Sequence, residues 1–221
     1  MRSAYYHYYI TCGERDLFFK LMHPKTERTL VIVKPDGIQR TLIGEIVKRY
    51  ERLGLKIVAL KMFVPTERMI EEHYLLDPDW KKNVGEKAIA SYKKKGEMPP
   101  SSDPIEVGNL VVTRLKKYMT SGPVIAMVWE GAHAVELVRK ITGGTEPRSA
   151  DIGTIRGDFV VDSYQMADSD NRAIRNLIHA SGSVAEAKME IPHWFAPEEI
   201  INYRTPQEAT LYDVDMKNIL G

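Results

Sequence analysis

At 221 residues, 43% hydrophobic and 28% charged, the chain has the size and composition of one globular domain, with room for insertions. Its 31 basic and 30 acidic residues leave a net charge of +1, which excludes a global field for gathering nucleic acid or membrane, so any anion site must be local. A single cysteine, Cys12, excludes an internal disulfide framework and a cysteine-based zinc cluster. No apolar run is long enough for a bilayer, and the first ten residues are too polar for a signal-peptide core, so the expected address is the cytoplasm.

Residues 1–25 are tyrosine-rich without a sustained period and are read as an appendage, with Met22 as a candidate natural start; residues 26–221 are read as the domain. From Thr29 the pattern is regular. Thr29 to Val33 is a β-branched run closed by Lys34-Pro35-Asp36-Gly37, a strand ending in a turn with Lys34 at its tip. Thr41 then precedes helically spaced Leu42, Ile43, Ile46, Val47, Tyr50 and Leu53, with Gly54 as the stop. A second strand, Lys56 to Val64, follows, and after Pro65-Thr66 comes a short helix bearing Met69, Ile70 and Tyr74.

Leu75 to Asn109 breaks this rhythm, being lysine-rich between Lys81 and Lys95 and Pro-punctuated afterwards, and is read as an insertion, helical in part. Val111, Leu115, Tyr118 and Met119 share a helix face that ends at Ser121-Gly122-Pro123. Next come a strand from Val124 to Trp129 and a helix from His133 to Thr142, stopped by Gly143-Gly144. A glycine-punctuated loop and a second polar break, Ser163 to Ala173, lead to Asn176-Leu177-Ile178-His179-Ala180-Ser181. Ser183 and Glu186 have capping-box spacing, so a helix should begin just after His179. Free N–H groups at such a start favour an anion beside the imidazole.

Four segments in order, Lys34-Pro35-Asp36-Gly37, Tyr118 to Val124, Gly153 to Phe159 and Asn176 to Ser181, resemble the nucleoside diphosphate kinase family. The likeness runs from about Glu27 to about Arg204, interrupted by the two insertions. It implies an α/β (α+β) ferredoxin-like sandwich, β-α-β-β-α-β, with a four-stranded antiparallel sheet and helices on one face. The implied activity moves a γ-phosphate from ATP to nucleoside diphosphates by a ping-pong route through a phosphohistidine, with Mg2+ on the nucleotide, in a homo-oligomer (hexamer or tetramer).

Carried over residue by residue, His179 is the nucleophile, Glu190 orients it and Ser181 supports Glu190. Lys34, Arg139 and Arg156, with the Thr145 hydroxyl, neutralise the phosphates, Tyr74 lies close to the histidine, and Asn176 shares the ribose 3′-hydroxyl with Lys34. Val111 and Leu115 fall where the family packs the base, and Val111 replaces a usual aromatic; Gly182 stands where the family commonly has Asp. The chemistry agrees with these types. A neutral imidazole attacks phosphorus without a separate base, and phosphoryl transfer needs several fixed cations around one anion. Two other readings share the element order: a ferredoxin-like nucleic-acid-binding module, which should expose strand aromatics and a basic face, and a non-catalytic relative, which should have lost part of the charged set.

Overall fold

A computed structural model describes residues 24–213; the expected appendage, apart from its last two residues, lies outside them. Four strands form one sheet: β1 (Glu27–Val33), β2 (Lys56–Phe63), β3 (Val124–Gly131) and β4 (Ile178–Ala180). Their spatial order is β2-β3-β1-β4, and every neighbouring pair is antiparallel. β1 and β3 therefore occupy the centre, which is why β3 is buried throughout and β1 from Thr29 to Val33, without alternation.

The period-2 geometry of a strand sends Leu30 and Ile32 into one apolar cluster and Val31 and Val33 into another on the opposite face. On the second face lie the helices that connect parallel strands, α2 (Ile43–Glu51) between β1 and β2 and α6 (Ala134–Thr142) between β3 and β4. Their inward residues Ile46, Tyr50 and Val138 are buried against Val31, Met127 and Trp129. Gly54 and Gly143 end these runs at φ +83° and +86°, a conformation that suits glycine.

The other face is covered as well, which the expectation of helices on one face did not include. α3 (Glu67–Tyr74), α5 (Pro104–Met119) and α9 (Val184–Trp194) bring Ile70, Tyr74, Met119 and Trp194 onto it. Leu30, Ile32, Ala126 and Val128 supply apolar surface on that side too, and burying it requires a second layer.

Residues 80–119, read from sequence as largely insertion, form a tight helical hairpin, α4 (Trp80–Lys94) against α5. Its weak apolar period has a structural reason. Contact is made through glycine: a Cβ on Gly85 would lie 1.8 Å from the Pro104 carbonyl oxygen, and one on Gly108 2.2 Å from that of Lys81. Gly85→Val should therefore force the helices apart and lower stability by about 2 kcal/mol. Gly44→Ala, in α2 with nothing within 4 Å of an added Cβ, should not. Thermal denaturation of the two variants checks this, and equal midpoints would contradict the close-packed hairpin.

The remaining helices are α1 (Pro35–Gln39), α7 (Ile155–Phe159), α8 (Tyr164–Ser169) and α10 (Pro206–Tyr212). α10 folds the tail back onto the sheet end, where Lys56 pairs with Glu208 at 2.7 Å and the Tyr212 hydroxyl accepts the Ala132 N–H at 3.1 Å. Val214 to Gly221 lie outside the described residues.

Candidate active site

The site forms where β1 and β4 run side by side and α9 starts. β4 pairs Ile32 with His179, setting the imidazole next to Lys34 at the end of β1. Just before β4 the backbone is forced. Leu177 has φ +63°, and the Ile178 N–H closes a three-residue turn onto the Asn176 carbonyl at 2.7 Å. A branched residue held there is costly and persists only when its surroundings over-determine it. Those surroundings are visible: the Leu177 carbonyl accepts the Lys34 N–H at 2.8 Å, and its own N–H donates to the Asp36 carboxylate at 3.2 Å. Asp36 also accepts the Tyr118 hydroxyl.

Past β4 the expected helix begins on cue. The Ser183 hydroxyl accepts the Glu186 N–H at 3.1 Å, and the Glu186 carboxylate accepts the Gly182 N–H at 2.9 Å. A Cβ on Gly182 would meet the Glu186 carboxylate oxygens at 2.6 and 2.7 Å, so Glu186 occupies the space a residue-182 side chain would need. Two turns on, α9 delivers Glu190 beneath His179. One carboxylate oxygen lies 2.9 Å from His179 Nε2, and the other accepts the Ser181 hydroxyl at 2.6 Å. Burial works to raise the Glu190 carboxyl, but His179, His73 and Ser181 outweigh it and hold it at about 2. An ionised Glu190 makes Nε2 the protonated nitrogen of a neutral His179, so the free lone pair is on Nδ1.

Lys34, 5% exposed, donates from Nζ to the Asn176 side-chain carbonyl at 2.6 Å. Burial pulls its ammonium down to about 7, the nearby Arg156 adds to this, and Asp36 opposes it. The Asn176 amide donates to the Thr145 backbone carbonyl at 2.9 Å, so Thr145 is tied in by its main chain. Arg156, also buried, spends three nitrogens on carbonyls: Gly143 at 2.9 Å, Asn176 at 3.1 Å and Ile178 at 2.6 Å. Burial lowers its guanidinium to about 10, and Arg139 adds to that. Arg139 is exposed at the end of α6 and lines a cavity with Gly182, Ser183 and Val184. Tyr74 is buried, its phenol pushed up by burial and by Glu190. Val111 and Leu115 are half-buried on α5, Leu115 against the core.

Sequence reasoning missed His73. It is buried, and its ring meets that of His179 edge-on at 4.7 Å. Its spacing from Ile70 on the inward side of α3 was the available signal. The ligand atoms of His73, His179 and Glu190 all lie within 4.8 Å of one another. That spacing admits a metal ion, but the proton inventory does not. The Trp194 indole N–H donates to His73 Nδ1 at 3.1 Å, so Nδ1 is the acceptor and Nε2, facing Glu190, carries the hydrogen. Burial, with His179 alongside, drives His73 down to about 3 and keeps it neutral.

The profile of the family described as nucleoside diphosphate kinase matches residues 27–89 and 106–200. The chain belongs to the nucleoside diphosphate kinase family. A nucleoside diphosphate kinase of Pyrobaculum aerophilum is 46% identical over 79% of this chain and 98% of its own. One from Borreliella burgdorferi is 39% identical over 84% and 97%. The solved NDP kinase of Pyrobaculum aerophilum superposes with a TM-score of 0.78, at 45% identity over 80% of this chain and all of the other. The Borreliella burgdorferi enzyme, solved as a transition-state mimic with vanadate and ADP, gives 0.70 at 38% identity over 85% and 98%. The fold is accordingly the ferredoxin-like one, and the protein is a phosphotransferase acting on nucleotides. The nucleic-acid-binding reading is not favoured. Among the described residues no helix is long and apolar enough to cross a membrane.

Proposed function

We propose that His179 carries the phosphoryl group between nucleotides: Nδ1 attacks the γ-phosphorus of ATP, ADP leaves, and a nucleoside diphosphate then takes the group from the phosphohistidine. One observation carries this reading: Glu190 engages Nε2 at 2.9 Å and leaves Nδ1 as the unshared nitrogen. As the ring becomes positive on attack, the ionised carboxylate beneath it stabilises that charge. Lys34, Arg156 and Arg139 surround the place a triphosphate would take, and the Lys34–Asn176 pair would receive the ribose 3′-hydroxyl. Val111 and Leu115 offer apolar surface to the base, and Tyr74 backs the imidazole. We assign the divalent cation to Mg2+, entering with the nucleotide as part of the substrate. The test is to incubate with γ-labelled ATP and chase with GDP. An acid-labile, base-stable label that transfers to GDP is expected; a label that does not chase would rule out this route.

Lys34 gives the reading a pH signature. Its ammonium, at about 7 in the free protein, is mostly neutral at pH 8. An adjacent polyphosphate would raise it, so binding at pH 8 to 9 should take up a proton and weaken as pH rises above about 7. Calorimetry of ADP binding in buffers of different ionisation enthalpy should show uptake approaching one proton. No buffer dependence would mean Lys34 does not meet the phosphates.

The segments 75–109 and 163–173 would flank the cleft, and their contact supports a lid. Lys95 of the first donates to Asp168 of the second at 2.9 Å, and Arg114, on α5 just past the first segment, reaches Asp168 at 3.4 Å and Asn171 at 2.7 Å. Asp168→Asn should raise KM for nucleotide about threefold to tenfold with kcat kept, since such pairs contribute on the order of 1 kcal/mol. An unchanged KM would leave the contact without a nucleotide role. The homo-oligomer, hexamer or tetramer, is supported by the β2 edge of the sheet, where, past the Ile57 and Val58 carbonyls that bond Tyr203 and Ile201, Leu60, Met62 and Val64 are exposed at alternate positions. Nucleoside triphosphates as substrates support a cytoplasmic location.

A further inference from the structure

We propose that His73 is a positioning residue for phosphoryl transfer: a neutral imidazole whose Nε2–H, aimed by the Trp194 indole, holds the Glu190 carboxylate and the His179 ring in the attacking orientation. The proposal rests on His179 being the nucleophile. Three contacts carry it. Trp194 Nε1–H donates to His73 Nδ1 at 3.1 Å and thereby fixes the tautomer. The protonated Nε2 lies 3.8 Å from the same Glu190 oxygen that engages His179, beyond a formed hydrogen bond but within favourable electrostatic reach. The His73 ring also meets that of His179 at an interplanar angle of 86°, so His179 cannot rotate towards α3 without displacing it.

The residue type fits the task. Glu190 must remain anionic and pointed at Nε2 while the His179 ring gains charge, and a lysine or arginine at position 73 would compete for that charge. A phenylalanine would fill the volume but offer no donor. Imidazole locked neutral supplies an N–H dipole and no net charge. The neighbours are consistent with that. His193 stacks at 6.3 Å but is engaged by the Met69 carbonyl at 2.8 Å, Tyr74 packs edge-on at 4.9 Å, and Lys34 is bonded to Asn176. None of these contacts gives His73 a carboxylate other than Glu190.

The test compares His73→Phe, which keeps the bulk, with His73→Gln, whose amide N–H can reach the position of Nε2–H. Single-turnover phosphorylation by ATP should slow about tenfold in His73→Phe with KM within about twofold, and His73→Gln should recover most of the rate. The proton shared by His179 and Glu190, followed by NMR, should be protected in wild type and His73→Gln and exchange rapidly in His73→Phe. A folded His73→Phe that phosphorylates at the wild-type rate, or equal losses in both variants, would overturn the proposal. If His73→Phe does not fold, His73→Asn, whose amide is too short, takes its place: a loss in Asn but not Gln supports the role, and equal rates refute it. A wild-type label found away from His179 would instead sink the underlying reading.

Discussion

His179→Ala is expected to abolish transfer, by more than about 10^4-fold, because it removes the atom that carries the phosphoryl group rather than one stabilising contact. The protein scaffold should be untouched: the side chain is partly exposed at the cleft and its removal leaves the β1–β4 pairing in place. Lys34→Ala should behave differently. Its hydrogen bonds to charged groups are worth on the order of 1.5 to 3 kcal/mol, so transfer should slow about 10- to 150-fold while the phosphoenzyme still forms. A coupled assay of ATP-dependent GTP formation separates the two. Comparable partial losses would contradict a covalent route through His179.

Arg156→Ala should combine a large loss of stability with loss of activity, which sets it apart from an ordinary phosphate ligand. Its guanidinium ties together the end of α6 at Gly143, the forced turn at Asn176 and the catalytic strand at Ile178. Truncation removes a donor from all three carbonyls, the Asn176 carbonyl keeping the Ile178 N–H, and at about 1 to 3 kcal/mol for each of the other two the variant should lose at least about 2 kcal/mol. Arg156→Lys should rescue little, since one ammonium cannot span three carbonyls held in a fork. Urea denaturation reads this directly, and a loss below about 1 kcal/mol would show that the turn holds without Arg156.

What could be read in the chain was what local chemistry dictates. β-branched runs gave the central strands, Ser183 and Glu186 gave the start of α9, and glycines marked the ends of α2 and α6 where positive φ was needed. His179 with Glu190 and Ser181 stood out through motif order, and the structure joins all three by hydrogen bonds. What could not be read depended on pairings distant in sequence. The α4–α5 contact runs through glycines, which carry no apolar signal, and His73 acquires its meaning only when Trp194 and Glu190 arrive from α9, more than 110 residues later. The strained Leu177 turn is likewise invisible in a leucine, a residue that ordinarily avoids positive φ; Asp36, Lys34 and Arg156 impose it.

The central claim is that Glu190 reserves Nε2 of His179 and leaves Nδ1 to take the phosphoryl group. The two phosphohistidine isomers are distinguishable by 31P and 15N NMR. The protein should therefore be phosphorylated with ATP, freed of nucleotide and examined under alkaline conditions, where phosphohistidine persists. The account predicts one phosphohistidine, at position 179, bearing phosphorus on Nδ1; phosphorus on Nε2, or on any other residue, would contradict it.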